Sequence, residues 1–164
     1  MTDQPEPMHV KTSKGETFAV DPEFSSLFER HIWHISPQGY VERTTTTKGR
    51  KRVHFKLHRI VAGALLGQQV DHINGDKLDN RKENLRICTR MGNSANSKLR
   101  SDNKTGYKGV HKHRRGDTFQ ATITHQQKPI YISRFQTALE AAMAYDNAAI
   151  ALFGEFAKTN GDII

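Results

Sequence analysis

The sequence predicts an α+β chain made of two small modules. Three features carry that expectation. Residues 70–86 are rich in Asp, Asn and Gly and flanked by apolar residues, as in a hairpin with an elaborate loop. The last third has three alternating strands followed by an Ala-rich helix with its own start signal. Between them, residues 97–106 are polar and basic with Leu99 as the one large apolar residue. At 164 residues and 35% apolar content the chain has room for one ordinary domain or two small ones.

Taken in order, residues 1–14 are polar and Pro-containing and read as a loose tail. Thr17-Phe18-Ala19-Val20 is a short strand stopped by Asp21-Pro22. Residues 31–35 and 39–45 are further strands around the turn signal Ser36-Pro37-Gln38-Gly39, with Trp33 expected in the core. The basic turn 48–52 leads into Val53-His54-Phe55, and Phe55 too is expected to be core. Leu57, Ile60, Val61, Ala64 and Leu65 have helix spacing, with Gly67 as the stop. Leu85-Arg86-Ile87-Cys88 returns as the second hairpin strand, and Thr89 caps a helix running to about Leu99.

The C-terminal strands begin at Val110, which places His111 and His113 on one face. Phe119, Ala121 and Ile123 then alternate with Gln120, Thr122 and Thr124, and Tyr131 stands opposite Ile130 and Ile132. Thr137-Ala138-Leu139-Glu140 is a capping box, and the helix it opens ends near Gly154. Its alanines let it lie close on one sheet face, leaving the His, Thr, Gln and Tyr face open.

Charge narrows the function classes. The net charge of +8 is unevenly placed: residues 31–60 carry seven basic and one acidic residue, and residues 98–134 carry nine and two. The centre, residues 61–97, is nearly neutral with five and four. Two basic blocks around an Asp-containing centre point to a polyanion, and nucleic acid is favoured over membrane because no basic amphipathic helix is present. No long apolar run is present, no basic region leads into an apolar leader, and Cys88 stands alone, so a membrane span, a secretory signal and a disulfide are not expected. An intracellular, cytoplasmic protein with no obligate protein partner is the expectation.

The centre reads Val70-Asp71-His72-Ile73-Asn74-Gly75-Asp76, then Leu78-Asp79-Asn80-Arg81 and Glu83-Asn84-Leu85-Arg86, with Asn93 following. Phosphodiester hydrolysis needs a general base, a hard divalent cation and oxygen ligands for it. His72 has the side chain for the base; Asp71 and Asn93 could supply an anionic and a neutral oxygen ligand. Asn84 could orient the imidazole or the hairpin backbone. A calcium loop fails because position twelve from Asp71 is Lys82, and a zinc protease fails because no HExxH occurs.

His72, Asn84 and Asn93, preceded by Asp71, resemble the HNH endonuclease motif in its H-N-N form. The strings VDHINGDKLDNRKENLRICT and LHRIVAGALLG are similar to phage and intron-encoded HNH homing endonucleases over residues 15–100. The resemblance implies a ββα-metal site with His72 as general base, Asp71 and Asn93 as ligands of Mg2+ or Mn2+, and Asn84 positioning the base. Gly92, just before Asn93, departs from a good helix.

Residues 106–160, YKGVHKHRRGDTFQATI through AKTN, resemble the ethylene-response-factor (Apetala-type) DNA-binding domain. That resemblance implies a sheet in the major groove, with Lys108, His111, His113, Thr122, Thr124 and Tyr131 facing DNA. Histidine and threonine stand where that family has arginines, so its base preferences do not carry over. The domains expected are therefore a tail (1–14), an HNH nuclease domain (15–97), a basic linker (98–106) and an Apetala-type domain (107–160). The function expected is a metal-dependent endonuclease of double-stranded DNA. A non-cleaving DNA-binding regulator is the alternative; RNA binding is disfavoured because the open sheet face carries one aromatic residue.

Overall fold

Regular pairing begins earlier than the polar composition of the N-terminus suggests. In the computed structural model, which describes residues 5–162, β1 (Met8–Lys11) pairs antiparallel with β2 (Thr17–Val20), from Met8 opposite Val20 to Lys11 opposite Thr17. The loose-tail expectation therefore fails for residues 8–14. Met8 and Val10 alternate toward the core that holds Phe18 and Val20, and Thr12 closes the turn by accepting a hydrogen bond from the Glu16 amide at 3.2 Å. Residues 1–4 of the expected tail lie outside the described residues.

The chain divides into two compact units, Met1–Cys88 and Thr89–Ile164. In the first, α1 (Ser26–Arg30) precedes a three-stranded antiparallel sheet of β3 (His34–Ile35), β4 (Val41–Thr46) and β5 (Arg52–Lys56), with β4 central. Its core is Phe18, Val20, Trp33, Val41, Leu57 and Val61. Phe55 is half-buried beneath the Arg43 guanidinium, 4.4 Å from the ring centroid, and stands outside that core.

The predicted helix stripe is cut short. Helix α2 covers only Leu57–Val61. Gly63, at φ +62, takes the left-handed conformation that ends a helix, and the Gly63 and Ala64 amides donate back to the Ile60 and Arg59 carbonyls. Leu65 and Leu66 then face solvent rather than the core. The first unit closes with the hairpin of β6 (Gln69–His72) and β7 (Leu85–Cys88), as the sequence predicts.

In the second unit Thr89 caps α3 (Arg90–Ala95), accepting from the Gly92 amide at 3.2 Å, but the helix ends four residues short of Leu99. The expected linker is folded into this unit. Asn103 Oδ1 accepts from the Thr105 and Gly106 amides, and Thr105 Oγ1 donates to the Val110 carbonyl at 3.0 Å. Strands β8 (Val110–Lys112), β9 (Phe119–His125) and β10 (Lys128–Phe135) form an antiparallel sheet in the order β10-β9-β8. Helix α4 (Ala138–Phe153) covers one face, its capping box formed by Thr137 and Glu140 as predicted.

The alanine face brings α4 close enough for Ala141, Ala142, Tyr145 and Ala149 to pack on Val110, Ala121 and Ile123. Gly109 makes that approach possible. It sits at φ +73, and a Cβ there would come within 2.1 Å of the Tyr145 ring and 2.7 Å of the Thr122 carbonyl oxygen. Gly109→Ala should therefore destabilise the second unit by roughly 2–4 kcal/mol, from left-handed strain plus overpacking. Urea unfolding followed by circular dichroism checks this; a loss below about 0.5 kcal/mol would show that the ring and carbonyl yield freely.

Candidate active site

The β6–β7 hairpin places Asp71 and His72 side by side near its loop end, opposite Arg86 and Leu85 respectively, and both are 5% exposed. Asp71 Oδ2 accepts from Arg86 Nε at 3.0 Å and from Nη2 at 2.8 Å. A carboxylate this deep needs such a partner, since breaking a buried pair typically costs about 3–5 kcal/mol.

The loop between the strands is ordered by side chains that mimic backbone. Asn84 Oδ1 accepts from the Asn74 amide at 2.9 Å, while Asn84 Nδ2 donates to the Asp79 carbonyl at 2.8 Å. Asp79 is gripped by Arg81 through Nε and Nη2, each at 2.7 Å, and accepts from Asn74 Nδ2 at 2.9 Å. Those bonds, the Arg81 pair first, hold its carboxyl below the usual range. The loop docks on β2: the Ala19 amide donates to the Leu78 carbonyl and the Asn80 amide to the Ala19 carbonyl. Asn80 is fully buried there.

Burial pushes the His72 pKa down; the Asn80 side chain and the carboxylates of Asp71, Asp76 and Asp79 oppose that shift. The ring stands edge-on to His58, centroids 5.1 Å apart, and Tyr40 lies 4.9 Å from His58 and 6.2 Å from His72. His58 is 5% exposed, and burial, then the His72 and Lys56 charges, push its pKa down to about 3. Sequence reasoning missed this residue: His58 interrupts an apolar helix start, and Tyr40 stands just before β4, 32 residues before His72. No local spacing links the three.

Asp71, His72 and Asn84 are thus gathered in the first unit. Asn93 is placed differently. It lies on α3, its amide bonded to the Thr89 carbonyl, and α3 belongs to the second unit rather than to a domain ending at residue 97. Gly92 explains part of that grouping: a Cβ there would meet the Phe156 ring at 3.0 Å, so its smallness serves close packing.

Comparison with known proteins agrees with this hairpin. Residues 55–95 match the profile of the HNH endonuclease family. Over 150 residues the chain is 30% identical to an uncharacterized HNH endonuclease of Acanthamoeba polyphaga mimivirus, covering 90% of this chain and 76% of that one. The chain belongs to the HNH endonuclease family. It is also 29% identical over 108 residues to Protein 3.8 of Escherichia phage T7, covering 65% of this chain and 88% of the phage protein. It is a nuclease, and the family implies DNA as its substrate. No described helix is long and apolar enough to cross a membrane.

HNH nucleases typically use a divalent metal. Among the described residues no three His, Cys, Asp or Glu side chains gather as a ligand set. The buried Asp71 carboxylate is an oxygen donor of the kind that hard divalent ions take.

In the second unit of this HNH endonuclease the open sheet face carries His111, Gln120, Thr122 and Tyr131, because His111 pairs with Gln120 and Tyr131 with Thr122. Thr124 follows Thr122 on that face, and Arg134, which the sequence reading passed over, joins it opposite Gln120. His113 lies just beyond β8, bonded through Nδ1 to the 113–115 turn and through Nε2 to Arg134 at 2.8 Å. Lys108 is not on the sheet's open row. Its ammonium donates to the carbonyls of Ala95 and Ser97 at 2.6 and 2.9 Å, closing the C-terminal end of α3, and burial lowers its pKa to about 8.

The His58 shift has a consequence for stability. Folding holds His58 neutral, so the unfolded chain binds more protons at acid pH and stability falls as pH drops below about 6.5. His58 alone should remove about 2 kcal/mol between pH 7 and pH 5. Urea melts of the wild type and His58→Phe at both pH values check this. The variant should lose the His58 share, about 2 kcal/mol of the difference; an unchanged difference would mean that His58 titrates normally.

Proposed function

We propose that this HNH endonuclease hydrolyses phosphodiester bonds in double-stranded DNA with His72 as the general base. What carries the reading is a neutral, buried imidazole at the end of β6, beside a buried carboxylate, in the stretch that matches the family. His72 takes a proton from the attacking water as its oxygen bonds to phosphorus, and the bond from phosphorus to the 3′ oxygen breaks. The 3′ oxygen leaves as hydroxyl after taking a proton from solvent, and the new end carries a 5′-phosphate. A magnesium-like ion would be held by Asp71 and Asn93, the pairing that the family resemblance implies, and when bound it supplies charge stabilisation for the phosphate and the leaving oxygen. Asn84 acts through the loop, fixing the backbone on which His72 stands.

The second unit serves as the duplex-binding part in this reading. Helix α4 covers one face of its three-stranded sheet, and the open face offers His111, Thr122, Thr124, Tyr131 and Arg134. Arg134 gives that face the bidentate donor that the histidines lack. A groove of about 850 Å³ beside β8 is lined by Lys98, Lys104 and Lys112 among others, suitable for backbone phosphates.

The test is cleavage of the source genome by purified protein, with the broken ends mapped. His72→Ala should lower the single-turnover rate by about 10²–10⁴-fold while leaving duplex affinity unchanged. Excess chelator should stop cutting, and added magnesium or manganese should restore it. Wild-type rates in His72→Ala would remove the base assignment, and full cutting in chelator would remove the metal.

A further inference from the structure

The site holds cations that the proposed reaction has not used. Lys56, at the end of β5, and Lys77, in the hairpin loop, place their ammonium groups 4.6 and 4.4 Å from the Tyr40 ring centroid. That ring is 6.2 Å from the His72 ring, so each ammonium lies within about 11 Å of the base. Both charges also act on His58, which touches His72 edge-on. Two ammonium groups converging on one ring repel each other, and a fold pays for that only where other contacts hold them.

The neighbouring carboxylates have other partners: Glu42, opposite Lys56 on β4, lies against His34 and His54 at 3.5 and 3.2 Å. Asp71 is engaged by Arg86, and Asp79 by Arg81 and Asn74. Asp76 Oδ1 accepts from the Leu78 amide. Arg59, the remaining cation near His58, donates to the Leu65 and Gln68 carbonyls. Neither Lys56 nor Lys77 forms an ion pair with a carboxylate among the described residues. Lys77 gives one of its three N–H groups to the Gln38 carbonyl at 2.8 Å, which fixes its head group and leaves two donors.

We infer that Lys56 and Lys77, steered by the Tyr40 ring, form a binding site for backbone phosphates flanking the one that is cut. The ligand is the phosphodiester anion of duplex DNA. A strand carries one phosphate per about 3.4 Å of duplex axis, so a reach of about 11 Å takes in roughly the three phosphates on either side of the scissile one. The cation–π contacts hold the heads of two long side chains in place before DNA arrives, which reduces the ordering cost of binding. The inference rests on His72 being the base at the scissile phosphate.

The experiment measures affinity of the full chain for a duplex oligonucleotide spanning the mapped cut, across a potassium chloride series. His72→Ala serves as background so that the DNA stays intact. Adding Lys56→Gln or Lys77→Gln should weaken binding several-fold and make the log K against log salt slope shallower by about 0.9 per lysine. A neutral methylphosphonate beside the cut should weaken binding by the His72→Ala chain and leave the Lys56→Gln/Lys77→Gln version of it unaffected. Thermal melts confirm that each variant is folded. Unchanged salt slopes, or equal methylphosphonate sensitivity with and without the lysines, would overturn the phosphate site. If His72→Ala still cuts, the base assignment fails separately, and the same titration on the wild type in excess chelator decides the lysine pair.

Discussion

The geometry around His72 depends on one buried side-chain amide. Asn84 accepts from the Asn74 amide at one end of the hairpin loop and donates to the Asp79 carbonyl in its middle. A loop of this polarity cannot be packed against a core unless its backbone groups are satisfied, and Asn84 satisfies two of them from one side chain. With those bonds made, Leu78 and Asn80 are presented to the edge of β2, and the Asp79 carboxylate meets Arg81. His72 then ends β6 in fixed register, opposite Leu85. The loop is thus part of the wall of the site, not merely a connection between strands.

How much of this was legible follows from which interactions are local. The hairpin, the Thr89 cap, the Thr137–Glu140 capping box and the Gly154 helix end depend on residues a few positions apart, and the sequence displays them. The failures share a different cause. Met8 and Val10 sit in a polar stretch and find their partners only once β2 exists. Ala64 and Leu65 have helix spacing, but Gly63 turns the chain before they can use it. The unit boundary at Cys88 reflects packing of α3 with Phe156 and Lys108, over 60 and 13 residues away, which no local pattern shows. Asp71, His72 and Asn84 were readable because the hairpin brings near neighbours together. Tyr40 and His58 were not, because they arrive from separate parts of the first unit, the turn before β4 and helix α2.

Lys108 shows how the two readings interact. The Apetala-type resemblance makes it a DNA-contact residue, yet its ammonium closes the end of the helix that carries Asn93. Cationic side chains suit the negative end of a helix, and two carbonyl acceptors at hydrogen-bond distance make this site specific. The helix bearing the candidate ligand is therefore fastened by the part of the chain proposed to bind the duplex. A separate tether joined by a free linker would have left α3 with neither Lys108 nor Phe156. Arg134, brought to the open sheet face by its register opposite Gln120, is the reverse case: a contact candidate that only strand pairing reveals.

The claim that Asn84 holds the loop, and through it the base, is tested most directly by Asn84→Ala in the full chain. Amide hydrogen exchange at Ile73 and Asn74 and the single-turnover cleavage rate should be measured on the same preparation. The account predicts that the Asn74 amide loses its protection and that the rate falls toward that of His72→Ala, while the amides of α4 keep theirs. A wild-type rate with a deprotected loop would contradict it, as would a lost rate with Asn74 still protected.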